Sequence, residues 1–193
     1  MDPIYVAEKA FDKTDFAQTP LAVGEYEGCT FVNCNFSDSD LSDVRFLHCE
    51  FLGCNLSLAK MTKTAFRDVS FKDSKMLGLR FDHCNEFGLV FSFDNCILNH
   101  SSFYRTKLKK TTFKNSQLHE VDFTECDLTG SGFGNCDLSR AAFDNSIIEK
   151  VDFRTSFNYS IDPGINRIAK AKFSLNGVAG LLDKYDIEID GII

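Results

Sequence analysis

Eight cysteines (Cys29, Cys34, Cys49, Cys54, Cys84, Cys96, Cys126 and Cys136) and four histidines (His48, His83, His100 and His119) are the side chains of this 193-residue chain best suited to metal or redox chemistry. Two acidic pairs, Asp38/Asp40 and Asp122/Glu125, have the spacing for general acid–base work. Each kind of chemistry makes a further demand on the sequence. A local zinc site favours CxxC pairs, and none occurs. A disulfide framework belongs to short secreted chains, yet these cysteines recur at intervals of five and twenty: Cys29 and Cys34 lead, and Cys49 and Cys54 follow one period later. Acid–base catalysis needs a concave, water-poor site that can perturb pKa values. No HExxH, GxSxG, phosphate-binding or dinucleotide motif is present. The question is therefore what element carries these residues.

The answer lies in a period that neither a helix nor a strand possesses. The stretch CDLTGSGFGNCDLSRAAFDN places Leu128, Phe133, Leu138 and Phe143 five residues apart. One register of this spacing runs Phe11, Phe16, Leu21, Tyr26 and onward to Phe81, and a second runs from Phe93 to Phe153. Every position in both is apolar, and together they hold sixteen of the twenty phenylalanines. Two residues before nearly every centre stands a small side chain, such as Cys29, Cys34, Ser39, Cys49, Ser101, Cys126 or Ser131. A chain that turns a corner every five residues explains the pattern, since each side then points one large and one small group inward. Four sides close a coil of twenty, and successive coils can hydrogen-bond at strand spacing. The expected fold is an all-β solenoid, a quadrilateral β-helix of about seven coils. Its structural core is a ladder of Phe31, Phe51, Phe71, Phe93, Phe113, Phe133 and Phe153, with Phe103, Phe123 and Phe143 on the opposite side. The cysteines then fill small inward slots as buried hydrophobes. The histidines and acids sit on a convex exterior, and a filled tube offers no catalytic cavity. Neither a metal, a cofactor nor an enzymatic activity is expected.

Between Phe81 and Phe93 the spacing is twelve where ten would keep phase. Two residues are thus inserted near positions 85–90, either as an outward bulge or as a widening filled by Phe87 or Leu89, with Gly88 permitting the turn. Charge is also segregated. Residues 1–59 hold 10 acidic and 3 basic groups, residues 60–114 hold 5 and 11, and residues 115–193 hold 13 and 7, for a net charge of -7. That balance argues against direct nucleic-acid binding. No run of 18 apolar residues and no basic-plus-apolar leader occurs, so a cytoplasmic protein with no membrane contact is expected.

The unit seen in Cys136-Asp137-Leu138-Ser139-Arg140 and Ser39-Asp40-Leu41-Ser42-Asp43 resembles the pentapeptide repeat. The resemblance covers roughly residues 10–154 and implies that the quadrilateral β-helix is right-handed. The repeat region, 1–154, is followed by a distinct C-terminal module, 155–193. Its order of residues, from Phe157-Asn158-Tyr159 through Asn176-Gly177-Val178 to Tyr185-Asp186-Ile187, is similar to that of the microcin B17 self-immunity and Qnr-type fluoroquinolone-resistance members. That similarity implies a cap on the last coil, a homodimer joined end to end, and a non-enzymatic DNA-mimic-like rod. Such a rod binds DNA gyrase or topoisomerase IV and protects it from a quinolone or a peptide toxin.

From the residues themselves, Asn176 is placed to cap a short helix carrying Val178, Leu181 and Leu182 on one face. Tyr185, Ile187 and Ile189 alternate as an edge strand. Such a piece must cover the open coil, bury against a second chain, or do both, and residues 1–10 would close the other end. The expected dimer seam is Leu181, Leu182, Tyr185, Ile187 and Ile189. The expected acidic contact surface is Asp122, Glu125, Asp127, Asp144, Glu149 and Asp152. The competing reading is an interaction scaffold for another partner, with no topoisomerase role.

Overall fold

In the computed structural model, which describes residues 4–190, the chain winds as a four-sided all-parallel β-solenoid. The strands are β1 Ile4–Ala7, β2 Ala10–Asp12, β3 Gly24–Glu27, β4 Thr30–Val32, β5 Arg45–Leu47, β6 Glu50–Leu52, β7 Ala65–Arg67, β8 Val69–Lys72, β9 Phe91–Asp94, β10 Thr112–Lys114 and β11 Gly132–Gly134. We number the faces by their inward centres. The first face, through Phe11 and Phe31, carries the seven-stranded sheet β2-β4-β6-β8-β9-β10-β11. The fourth, through Tyr26 and Phe46, carries the sheet β1-β3-β5-β7. The second and third faces are held by isolated parallel bridges such as Asn35↔Asn55 and Ser102↔Asp122. Residues 1–3, which belong to the expected N-terminal closure, lie outside the described residues, as do residues 191–193 at the other end.

Ring size sets the interior. On the first face Phe11, Phe31, Phe51, Phe71, Phe93, Phe113, Phe133, Phe153 and Phe173 form an unbroken stack, with centroid steps such as 4.7 Å from Phe31 to Phe51 and 4.8 Å from Phe113 to Phe133. These steps match the distance between hydrogen-bonded strands, so one spacing serves both backbone and side chains. On the third face Phe81, Phe103, Phe123 and Phe143 form a second stack that meets the first edge to face, as in Phe113–Phe123 at 5.8 Å and 83°. The first-face ladder continues past residue 154, because Phe173 stacks on Phe153 and the bridges Ile147↔Arg167 and Asp152↔Lys172 carry the coil onward.

Corners form two residues after most centres, where the backbone turns left-handed: Asn33, Asp38, Asp43, Asn95, Asn115 and Asn135 have φ between 51° and 61°. Asn and Asp tolerate this conformation best among residues with a Cβ. At Gly53 (φ 64°) a Cβ would meet the Asn33 amide oxygen one coil earlier, so a larger residue there displaces the Asn33 side chain.

The small inward slots are bonded as well as filled. Cys49 Sγ donates to the Tyr26 carbonyl (3.2 Å) and Cys54 Sγ to that of Phe31 (3.3 Å), while Ser146 Oγ donates to that of Phe123 (2.7 Å), each reaching back 23 residues. A side chain with a proton to give makes this bond, so Cys, Ser and Thr interchange at such slots, while Val44, Val69, Val121 and Ala141 fill others by size alone. Ser131 shows the full function: its Oγ donates to Leu108 O (2.6 Å) and accepts the Thr111 N–H (3.1 Å). Thr111 N–H also bonds Leu108 O directly at 3.2 Å, so Ser131→Ala removes the bridge without leaving either group unpaired. It is expected to cost about 1 kcal/mol, read from urea unfolding, and Ser131→Cys less than half as much.

The two extra residues bulge outward between the third and fourth faces. Coil pairing stops at Asn85 N–H to Thr64 O (2.9 Å) and resumes at Val90 N–H to Phe66 O (3.0 Å). Phe87 is 75% exposed, with the Arg67 guanidinium 5.3 Å from its ring centre, and Leu89 packs only partly on the core. The space is filled instead by Phe91, in the slot that Val69 occupies one coil earlier, with its ring 5.3 Å from Phe81 and 5.1 Å from Phe93. The expectation that Phe87 or Leu89 fills a widened coil is corrected on this point.

The C-terminal segment also differs from the expectation. Its helical turns are two 3-10 pieces, Asn176–Leu181 and Asp183–Tyr185. Asn176 lies inside the first of these, and the N-terminal hydrogen bond comes from Ser174, whose Oγ accepts the Gly177 N–H at 3.1 Å. Tyr185 lies in the second 3-10 piece, Asp186 closes that piece in a left-handed conformation (φ 49°), and no strand forms over 187–189 among the described residues. The turns dock on Tyr159. A Cβ on Gly177 would collide with the Tyr159 hydroxyl and one on Gly180 with its carbonyl oxygen, and Ile161 N–H bonds Gly180 O at 2.9 Å.

Candidate interaction surfaces

All eight cysteines are free thiols and all are buried. Burial pushes the Cys49, Cys54 and Cys126 thiols up to about 12 and those of Cys96 and Cys136 up to about 11, so none of these five is poised as a nucleophile at neutral pH. No group of three His, Cys, Asp or Glu residues suited to a metal occurs among the described residues. What remains is the outer surface.

Solenoid winding sends the six expected acidic residues to different faces. Asp122 and Asp144 stand on the third face in consecutive coils, Glu125 on the corner that follows, and Asp127 and Glu149 on the fourth face. These five make an acidic ridge spread over the third face, the fourth face and the corner between them, with Arg105, Lys109 and Arg167 set among them. Asp152 lies apart on the first face, opposite Gly132 and Lys172 in the ladder. Four of the six are paired with cations. Arg105 binds Glu125 (2.7 Å), Lys109 binds Asp127 (3.0 Å), Arg167 binds Glu149 (2.7 Å) and Arg154 binds Asp152 (2.7 Å). The Arg105 hydrogen bond holds the Glu125 carboxyl below the usual carboxylate range, and Arg154 does the same for Asp152. Burial pushes Asp127 up, but its bonds to Thr129 and Lys109 outweigh burial and leave it low. On the second face Asp137 behaves similarly: burial is overcome by Ser139, Asn158 and His119, and its pKa falls to about 2. Asp122 and Asp144 form no ion pair among the described residues, although Asp122 Oδ1 accepts the Thr124 N–H at 2.9 Å.

This pairing is a feature that counting charges by segment misses. Its signal is present in the sequence, because opposite charges recur at separations of 20 (Arg105/Glu125, Lys60/Asp40, Arg45/Glu25) and 18 (Lys109/Asp127, Arg167/Glu149). Residues at these separations are neighbours on adjacent coils, directly or diagonally.

At the C-terminal end the five expected seam residues divide. Leu181 packs on the core, and Leu182 is half-buried. Tyr185, Ile187 and Ile189 are exposed, together with Leu175, which is 84% exposed. The surface that a second chain could meet is therefore Leu175, Tyr185, Ile187 and Ile189, and the two leucines anchor the cap from beneath. Among the described residues no helix is long and apolar enough to cross a membrane.

Residues 87–153 match a family model described as a pentapeptide repeat region, and residues 27–57 match one described as eight copies of the pentapeptide repeat. No curated protein matches the sequence. Among solved structures, two trypsin-treated forms of QnrB1, a plasmid-mediated fluoroquinolone resistance protein, are similar. One superposes with a TM-score of 0.63 at 16% identity, covering 97% of this chain and 98% of that one. The other also gives 0.63 at 16% identity, covering 98% of this chain and 100% of that one. At this identity the likeness is one of fold.

Proposed function

Because the chain belongs to the pentapeptide-repeat family, we propose that it works as a non-enzymatic binding rod that engages DNA gyrase or topoisomerase IV through its acidic ridge and shields the enzyme from a quinolone or a peptide toxin. The observation that supports this most is the pair of carboxylates outside any ion pair, Asp122 and Asp144, in consecutive coils of the solenoid. Carboxylates set diagonally on consecutive coils of one face offer negative charge to a groove built for a phosphate backbone. Two rods joined at Leu175, Tyr185, Ile187 and Ile189 would bring two such ridges together about one centre. A supercoiling assay with and without a quinolone tests the reading. The expected result is inhibition or protection at low protein excess, weakened roughly tenfold in the Asp122→Asn/Asp144→Asn variant. Light scattering at micromolar concentration is expected to give the dimer mass, and Ile187→Glu to give the monomer.

The ion pairs on Glu125, Asp127, Glu149 and Asp152 favour a second reading, a scaffold for a partner unrelated to topoisomerases, since a compensated surface imitates phosphate poorly. No effect on gyrase at high excess would select this reading.

A further inference from the structure

The first face has a gap in its outer side-chain rows. Along β11 the outward positions flanking the buried Phe133 are Gly132 and Gly134. Of the seven strands in this sheet, β11 alone has glycine at outward positions. The fold does not require it. Neither glycine has a positive φ, a Cβ on Gly132 would meet nothing within 4 Å, and one on Gly134 would come no closer than 3.8 Å to Lys114 Cγ. Glycine inside a strand weakens it and marks sites where another molecule approaches the backbone. Here it opens a shallow depression of about 860 Å³.

Register defines the shape of this depression. In the outward row Lys114–Gly134–Arg154, the rung between two cations is missing, and both cations line the depression. The row beside it runs Thr112–Gly132–Asp152. One wall is the corner ladder of Asn115 and Asn135, joined by an amide hydrogen bond of 3.1 Å. Asp152 holds Arg154 through Nε (3.0 Å) and Nη2 (2.7 Å), which fixes the guanidinium in place. By register Lys172 follows Asp152 in its row, and Lys110, Lys150 and Lys170 stand on the adjoining corner. With Lys114 and Arg154 they outnumber the two nearby carboxylates, Asp152 and Asp94, the latter 3.6 Å from Lys114 Nζ. This patch is cationic on a chain whose net charge is -7.

We infer that the gap at Gly134 receives one aromatic side chain from an acidic polypeptide segment, which completes the missing rung between Lys114 and Arg154. A ring with a cation on each side gains from both through its quadrupole. Carboxylates beside that ring meet the surrounding lysines, so charge complementarity sets both partner and orientation. Along its row the gap at Gly134 is one rung long, and it is open at the top, which suits a single anchor in an extended segment. The acidic remainder of the rod disfavours an extended polyanion such as nucleic acid. The surface is separate from the acidic ridge and does not depend on the topoisomerase reading.

The chain contains no Trp, so a five-residue Asp-Glu-Trp-Glu-Asp peptide is a spectroscopically isolated probe. Its emission is expected to change saturably on addition of the protein, less so in high salt. Gly134→Val fills the gap with a residue that strands prefer. It is expected to weaken binding at least tenfold while the melting temperature stays level or rises, and Arg154→Gln is expected to weaken binding severalfold. Gly134→Thr serves the same purpose should the valine variant fold poorly. The proposal is overturned if the wild type gives no saturable response up to millimolar protein, or if Gly134→Val and Gly134→Thr bind the peptide as the wild type does. Equal affinity for a Lys-Lys-Trp-Lys-Lys peptide also overturns it, as does a single-stranded oligonucleotide that binds with the same Gly134 dependence while the acidic peptide does not.

Discussion

Phe113→Ala is expected to lower the unfolding free energy by about 3–5 kcal/mol, one of the largest losses a single side chain can cause in this molecule. Phe113 is fully buried and stacks between Phe93 at 5.1 Å and Phe133 at 4.8 Å, with Phe103 and Phe123 edge-on at 5.9 and 5.8 Å. The cost of a large-to-small change depends on how far the surroundings collapse into the space left behind. Here they are held apart. The backbone on either side belongs to β9 and β11, both hydrogen-bonded to β10, so closing the gap would break strand pairing. Phe113→Leu is expected to cost about 1–2 kcal/mol, since leucine already fills the adjacent second face at Leu118 and Leu138. Equilibrium urea unfolding provides the measurement. A loss below about 1 kcal/mol for the alanine variant would mean that the ring stack relaxes freely, against the rigid-tube picture.

Alkaline unfolding is the second large effect. The Cys49, Cys54 and Cys126 thiols titrate near 12 in the folded chain and those of Cys96 and Cys136 near 11, against 9.0 for a free thiol, and burial is the leading cause throughout. The folded state therefore holds these protons more tightly than the unfolded state. Below pH 9 both states are protonated and the thiols leave stability unchanged. Above pH 9 the unfolded chain ionises first, and stability falls until the folded pKa is reached. Each thiol removes up to about 1.4 kcal/mol per pH unit in that window. Five acting together amount to on the order of 10 kcal/mol by pH 11, comparable with the whole stability of a domain. Unfolding followed by circular dichroism is expected between about pH 10 and 11. Tyr26 and Tyr159, also raised by burial, push in the same direction, so the thiol share is isolated by substitution. Serine already makes the equivalent bond at Ser131 and Ser146. The Cys49→Ser/Cys54→Ser/Cys126→Ser variant should thus shift the alkaline midpoint upward. An unchanged midpoint would remove the thiols from the explanation.

The ring stacks were readable from spacing alone, because a narrow tube admits one large group per side and every departure from period five would collide with a wall. The small slots were readable in size but not in role: Cys34, Ser131 and Ala141 look equivalent until Cys34 and Ser131 are seen to donate to the carbonyl 23 residues earlier, which Ala141 leaves to the backbone. The bulge at 85–90 was located by its two extra residues. Spacing cannot say which ring fills the interior, and Phe91 does so because it enters from the following strand. The cap misled for a different reason. Over so short a segment, the apolar positions of Tyr185, Ile187 and Ile189 fit a strand as well as a turn, and Tyr185 lies in the 3-10 piece that Asp186 closes. Among the surface residues, the charges were visible and their pairing was not, since partners 18 and 20 apart become neighbours only after the coil closes.

Because each rung rests on one about twenty residues away, the mean sequence separation of contacts stays short and nearly constant along the chain, for a relative contact order on the order of 0.1. That value is typical of helical proteins and low for an all-β one, whose slow search comes from pairing distant strands. A chain emerging from the ribosome meets its template as soon as one further coil has cleared the exit, and no strand waits for a partner at the far end of the sequence. The same regular winding that stacks the phenylalanines therefore lets the protein assemble in the order in which it is made.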